Sequence, residues 1–180
     1  MPRYAALLRA VNVGGTGKIA MADLRELAED LGLDDVRTAL QSGNLVFRSE
    51  ARKSAELEST LSAELERRHG VRSEVMIRSA KDWEAVIAAN PFPNETARDP
   101  GRVIVLFLKT AASASAVAAL QAAIKGRETV RGSGRQVYAY YPDGSGTSKL
   151  TVPVIEKTLG TRATGRNWNT VQKIAALLRA

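Results

Sequence analysis

The sequence contains no cysteine, and this absence removes several kinds of chemistry at once. Disulfide bonds, thiolate metal sites and cysteine nucleophiles are all excluded. The chain has a single histidine, His69, and therefore lacks the ligands for a histidine-rich metal centre. No other metal-ligand spacing is found, so we expect neither a metal ion nor a cofactor.

Long hydrophobic runs are also missing. No stretch approaches the roughly 20 apolar residues that a membrane-spanning helix needs. The apolar start of the chain is short and is interrupted by Arg9, which is typical of a strand and not of a signal peptide core. The sequence therefore predicts a cytoplasmic protein with no membrane partner. The hydrophobic share of 44% and the charged share of 25% are those of an ordinary globular protein.

Acidic residues are scarce in one half of the chain. Residues 1–100 hold 14 Lys or Arg against 16 Asp or Glu, whereas residues 101–180 hold 12 against 3. The net charge of +7 therefore arises entirely from the second half. Such an asymmetry favours an anionic partner, namely nucleic acid, a phosphorylated ligand or an acidic protein. The alternative is that the charge serves solubility alone.

The spacing of apolar residues predicts a βαββαβ order for residues 1–78, which is the split ferredoxin-like unit. The expected strands are 4–11, 36–40, 45–47 and 71–77. The expected helices contain Leu24 to Leu31 and Leu57 to Leu65, and they end at Gly32 and Gly70.

Residues 79–180 predict a second βαββα unit followed by further helices. We expect a short helix at 83–89, an irregular loop at 90–93 because of two prolines, a central strand at 103–108 and a helix at 114–124. A hairpin of 128–131 and 136–141 would turn at Gly132-Ser133-Gly134, before helices at 151–159 and 168–178. The fold class is therefore α+β, with tandem ferredoxin-like units, antiparallel sheets and additional C-terminal helices.

A glycine-rich loop follows the first strand. Gly14, Gly15 and Gly17 precede Lys18, and bare backbone N–H groups near a helix start attract phosphate. The loop does not match the Walker A pattern, because Asn12 and Ile19 occupy the positions of its first glycine and its hydroxyl residue. The alternative is a flexible connection between a strand and a helix.

Two further features accompany this loop. Arg9 ends an apolar strand, so its guanidinium either reaches past the strand end to water or anchors a polar cluster with Asn12 and Lys18. Ser42-Gly43-Asn44 favours a tight turn or bulge between two strands.

The C-terminal quarter has the richest polar motifs. Tyr138 and Tyr140 share one strand face, and Ser148-Lys149 end a loop of small residues. Arg166-Asn167-Trp168-Asn169 opens the last helix, with Asn167 as its N-cap and Arg166 as an anion site. Aromatic and basic residues in this pattern are able to stack bases and neutralise phosphates. The alternative is a capped helix with a core tryptophan and an ordinary turn.

Catalytic patterns are few. Ser148 and Lys149 are adjacent, which is not the helix-borne Ser-x-x-Lys spacing. His69 ends a charged helix and is expected to be solvated. Glu156 or Lys149 would serve for proton transfer in a metal-independent enzyme acting on a small anionic substrate, and the sequence leaves the question of enzymatic activity open.

Five segments together resemble the bacterial domain-of-unknown-function family 1697, and the likeness spans nearly the whole chain. The segments are Leu8 to Gly15, Gln41 to Asn44, Asn90 to Phe92, Ser148 to Thr151 and Thr164 to Thr170. The resemblance implies the tandem α+β fold and no particular activity. Because these segments are mostly polar loop residues, it adds to the expectation of a ligand site.

The leading hypothesis is therefore binding of a phosphate-bearing ligand, either nucleic acid or a nucleotide, through polar and basic loops. The alternatives are the metal-independent enzyme and a structural protein whose loops form a homodimer interface. The candidate ligand-binding residues are Arg9, Asn12, Gly14, Gly15, Lys18, Ser42, Asn44, Tyr140, Ser148, Lys149, Arg166, Asn167, Trp168 and Asn169.

Overall fold

The computed structural model describes residues 1–14, 17–50 and 52–180. The chain divides into two compact units. The first consists of Met1–Ala85 with Lys173–Ala180, and the second of Val86–Gln172. Each contains one antiparallel sheet together with helices, so the predicted α+β class is confirmed.

The first unit has the predicted βαββαβ order. Its elements are β1 (Arg3–Leu8), α1 (Met21–Asp30), β2 (Asp34–Thr38), β3 (Asn44–Arg48), α2 (Ser54–His69) and β4 (Val75–Ser79). The strands lie in the order β2-β3-β1-β4, and every neighbouring pair is antiparallel. This is the ferredoxin-like arrangement that the apolar pattern predicted.

The two helices of this unit form where the leucine spacing placed them. Leu57, Leu61 and Leu65 are buried along one face of α2, and Gly70 ends the helix in the left-handed conformation. Strand β1 is shorter than predicted. It ends at Leu8 because Ala10 and Asn12 both adopt a φ of +55°, which a strand does not accommodate.

The chain continues with two short helices, α3 (Ala80–Ala88) and α4 (Pro93–Arg98). The remaining elements are β5 (Val103–Ala112), α5 (Ala114–Ala123), β6 (Thr129–Tyr140), α6 (Val152–Leu159), β7 (Ala163–Asn167) and α7 (Trp168–Arg179). The second sheet has the order β6-β5-β7, so β5 is central as predicted. This order matches β3-β1-β4 of the first sheet.

The chain reverses at Gly132-Ser133-Gly134, as the sequence predicted, and β6 runs through the reversal without a break. Arg127 binds Asp143, and a Cβ atom at Gly132 would lie 3.4 Å from Val137 Cα, so the segments on either side of these glycines lie next to each other. Gly132 and Gly134 have φ values of +118° and +76°, which suit a turn. Residues 136–140 pair with β5, and the register shifts between Phe107 and Ala112.

Two other local expectations also need correction. Pro93 is not in an irregular loop, because it occupies the first turn of α4, where a missing N–H costs nothing. Strand β7 was not predicted, since Ala163-Thr164-Gly165 reads as a loop. Gly165 packs so closely on β5 that a Cβ atom there would lie 3.0 Å from Ile104 Cγ2.

Candidate functional site

Asn12 fixes the loop after β1 with its side chain. Its amide nitrogen donates to the backbone oxygens of Ile19 and Gln41, each at 2.9 Å, and its amide oxygen accepts from the Ile19 N–H at 2.9 Å. The loop therefore closes on itself and is tied to the turn between β2 and β3. The side-chain polar groups of Asn12 are used for these backbone contacts.

The turn at Ser42-Gly43-Asn44 is confirmed, and it is built as tightly as the loop. Gly43 has a φ of +76°, and a Cβ atom there would lie 2.4 Å from Val11 Cγ2. Asn44 is fully buried, and its amide nitrogen donates to Ala39 O at 2.8 Å and to Ser42 Oγ at 3.0 Å. Ser42 and Asn44 thus hold the backbone of the turn.

A small cavity of about 400 Å³ lies beside this loop. Asn12, Lys18 and His69 are among its lining residues. Arg9 is half-buried and is not part of this lining; its backbone oxygen accepts from Ser73 Oγ at 2.7 Å.

The glycine positions of the predicted phosphate cradle are only partly described. Gly14 is exposed and has a φ of +59°. A Cβ atom at this position would have no neighbour within 4 Å. Gly15 lies outside the described residues.

The motif at the start of α7 is largely buried. Arg166 is 7% exposed, and its guanidinium donates to Thr164 Oγ1 at 2.7 Å and to Gly165 O at 2.9 Å. Burial lowers the pKa of Arg166 to about 10, so the group stays protonated at neutral pH. Asn167 caps α7, as predicted, by accepting from the Thr170 N–H at 3.0 Å.

The aromatic residues offered for stacking differ in exposure. Trp168 is 7% exposed, so little of its ring is available to a ligand in solution. Tyr140 is half-buried with its ring centroid 5.9 Å from that of Phe92, and Arg131 lies over the Phe92 ring. Asn169 is exposed.

The second unit contains a larger pocket of about 610 Å³, between the end of α5, the start of β6 and the loop before α6. Its apolar lining consists of Leu120, Ala123, Ile124, Leu150 and Val154. Its polar and charged lining includes Lys125, Glu128, Asp143, Thr147, Ser148 and Lys149. We call it the second-unit pocket. Its volume and its mixed lining are those of sites for small organic ligands.

Ser148 organises one wall of this pocket. Its hydroxyl accepts from the Leu150 N–H at 3.0 Å and donates to Glu128 Oε1 at 2.6 Å. The Tyr141 hydroxyl donates to Leu150 O at 2.9 Å, beneath the same loop. Burial, and to a smaller extent the charge of Glu128, raises the pKa of Tyr141 to about 12.

The charged groups of the pocket are unequally paired. Arg127 binds Asp143 through two hydrogen bonds, and this guanidinium holds the pKa of Asp143 below its ordinary value. Lys125 and Lys149 form no ion pair with any of the described residues. Two ammonium groups are thus available to an anionic ligand.

Glu156, the alternative group for proton transfer, has a different environment. Its Oε2 accepts from the Ala163 N–H at 2.9 Å, and it lines a separate cavity with Lys157 and Arg162. The structure therefore does not bring Glu156 into the pocket that holds Lys149. No group of three or more acidic or histidine side chains able to hold a metal ion occurs in the described part of the chain. None of the helices described is long and apolar enough to cross a membrane.

Sequence reasoning found Ser148 and Lys149 but missed Lys125 and Glu128. The missed pair lies in the connection between α5 and β6, Lys125-Gly126-Arg127-Glu128. Three charged residues around a glycine were a usable signal for a polar site in this connection.

The fold and the pocket together define a two-unit α+β protein whose second unit contains a ligand-sized pocket of mixed polarity. A family model described as a protein of unknown function (DUF1697) matches residues 1–138, and the chain belongs to this family. A similar solved structure is that of the conserved bacterial protein SP0830 from Streptococcus pneumoniae. It is 28% identical to this chain, with a TM-score of 0.75 and 98% of each chain covered. No curated protein matches the chain.

Proposed function

We propose that this protein binds a small phosphate-bearing ligand of nucleotide size in the second-unit pocket. The observation that carries the proposal is the pairing of an apolar floor with two lysines, Lys125 and Lys149, that have no carboxylate partner among the described residues. An apolar floor suits a base, and ammonium groups suit a phosphate.

The charge of the unit supports the same ligand class. Residues 86–172 hold 11 Lys or Arg against 5 Asp or Glu, so the unit attracts anions at long range. Within the pocket the charge of Asp143 is offset by Arg127. Glu128 is then the other carboxylate in the lining of the pocket.

The volume of the pocket favours a nucleotide over nucleic acid. About 610 Å³ is within the usual range for sites that enclose one small molecule. Nucleic acid would instead bind along an open basic surface, and its affinity would fall steeply with salt.

The test is a thermal-shift and calorimetric titration with adenosine monophosphate, inorganic phosphate and a short single-stranded oligonucleotide. A ligand present at 100 times its Kd stabilises the folded protein by about 2.7 kcal/mol, which a thermal shift detects. We expect the mononucleotide to bind and Lys125→Ala and Lys149→Ala each to weaken it about tenfold.

Lys157→Ala is the matched control, because Lys157 is an exposed lysine of the same unit that lines a different cavity. It removes the same charge and should leave binding unchanged. If all three variants weakened ligand binding equally and the oligonucleotide bound most tightly, the binding site would be a general basic surface and not the pocket. Absence of any binding would overturn the proposal.

A further inference from the structure

Glu128 is a half-buried carboxylate with one hydrogen-bond donor among the described residues. Its Oε1 accepts the Ser148 hydroxyl at 2.6 Å, and it forms no ion pair with the residues the structure describes. Oε2 has no donor among the described residues and is accessible, so it is free to accept a hydrogen bond from a ligand.

The position of this carboxylate is set by two neighbours. Ser148 is held by the Leu150 N–H, so its hydroxyl hydrogen is directed at Glu128. Gly126 lies next to Oε2, since a Cβ atom at that position would be 2.3 Å from Glu128 Oε2. The carboxylate is thus hydrogen-bonded at Oε1, and the lack of a side chain at Gly126 allows the position of Oε2.

The pocket therefore presents an acceptor together with the two lysines. A ligand amine would be repelled by Lys125 and Lys149, whereas a neutral hydroxyl would not. In a nucleotide the sugar joins the base to the phosphate and carries its hydroxyls on the outer edge of the ring. A carboxylate that shares the pocket with the apolar lining and the lysines would therefore meet the sugar.

We propose that Glu128 determines specificity by accepting a hydrogen bond from a ribose hydroxyl, so that the ligand is a ribonucleoside phosphate and not its deoxy counterpart. This inference rests on the proposed function of the second-unit pocket. A site that accepts a hydrogen bond from a ligand hydroxyl discriminates against the analogue that lacks it, because that hydrogen bond is then lost.

The experiment compares adenosine monophosphate with its 2′-deoxy and 3′-deoxy analogues by calorimetry on the full chain. For the unaltered protein we expect one deoxy analogue to bind about tenfold more weakly, which is the loss of one hydrogen bond to a charged group. Glu128→Ala should abolish this ratio, because the alanine side chain offers no hydrogen-bond partner to the hydroxyl, whereas the NH₂ group of a glutamine would donate to the hydroxyl oxygen.

Two more variants test the positioning. Gly126→Ala should displace the flexible end of Glu128 and lower the ratio, with little change in the affinity for the deoxy analogue. Ser148→Ala should act in the same direction through the lost hydrogen bond. Lys157→Ala is again the control and should keep the ratio.

The outcomes separate the two proposals. Equal affinity of the unaltered protein for the ribose and both deoxy forms would overturn the role of Glu128 and leave the pocket as a nucleotide site. A ratio that persists in Glu128→Ala would also overturn it. Failure of every nucleotide to bind would overturn both proposals.

Discussion

The two units use the same kinds of polar loop residue in opposite ways. In the first unit, Asn12 and Asn44 direct their side-chain amides at backbone oxygens and fix the loops. In the second unit, Ser148 and Lys149 line a pocket, and Lys149 is exposed. A polar loop motif is therefore evidence for a site only after its hydrogen bonds have been assigned.

The two units also differ in their balance of basic and acidic residues. The first unit holds 15 Lys or Arg against 14 Asp or Glu, and several of its pairs, such as Arg179 with Glu84, neutralise each other. The second unit has about twice as many basic as acidic residues. The first unit resembles a scaffold, and the second has groups to offer a ligand.

Gly43→Ala should show the largest effect and would sharpen the view of the first unit as a scaffold. The new Cβ would lie 2.4 Å from Val11 Cγ2 at a φ of +76°. Overpacking and left-handed strain together should lower the free energy of unfolding by about 3 kcal/mol, measured by urea denaturation. Gly32→Ala is the control, because Gly32 has the same φ and a Cβ atom there would have no neighbour within 4 Å. We expect this substitution to lower the free energy of unfolding by about 1 kcal/mol. Equal losses would show that the close packing at Gly43 contributes nothing.

Asn12→Ala should have the second-largest effect and lower the free energy of unfolding by about 2 kcal/mol. The Ile19 N–H and two backbone oxygens would lose their hydrogen-bond partner. Nucleotide binding in the second unit should be unchanged. The control Asn169→Ala removes an exposed amide and should leave the unfolding free energy unaltered. If Asn12→Ala instead lost binding while keeping its stability, the ligand site would belong to the first unit.

Tyr141 gives a third test, through alkaline pH. Its pKa in the folded protein is about 12, above the ordinary 10.0, so the folded state favours the neutral phenol. The contribution of the neutral phenol to the free energy of unfolding is fully present below pH 10 and is lost as pH rises towards 12. We expect this loss to be about 1 to 3 kcal/mol smaller in Tyr141→Phe than in the unaltered protein, measured by denaturation across that range. Parallel curves for the two proteins would show that Tyr141 ionises freely.

Asp143→Asn should have the smallest effect, with Glu84→Gln as its counterpart in the first unit. The partner guanidinium groups lower the pKa of both carboxyls, so each pair stabilises above the ordinary carboxyl pKa and loses that contribution as pH falls below it. Both pairs are exposed and screened by solvent, so neither substitution should measurably change stability at neutral pH. A salt-sensitive loss in Asp143→Asn alone would mean that Arg127 and Asp143 hold the pocket loop in place.

Most of the first unit was predictable from the sequence, because local rules agree there. The leucine spacing of α2 and the left-handed Gly70 specify one helix with a defined end. The second sheet was less accessible. Strand β7 pairs with β5 along its whole length, but its sequence Ala-Thr-Gly-Arg-Asn has no alternation of apolar and polar residues that would mark a strand.

The site was predictable in part for a similar reason. Ser148 and Lys149 are adjacent in a loop, and their composition indicates a polar surface. Glu128 reaches Ser148 across twenty positions of the chain, through a contact that depends on where α5 ends and β6 begins. Such long-range contacts are fixed by tertiary structure and leave no periodic trace in the sequence.

The turn within β6 also bears on how this protein behaves at high concentration. β6 is an outer element of its sheet, and long regular outer strands invite pairing with further copies and, in the extreme, fibril growth. The reversal at Gly132 and Gly134 keeps the outer segment short, and the exposed Arg131 adds a charge beside it. We expect both features to disfavour self-assembly.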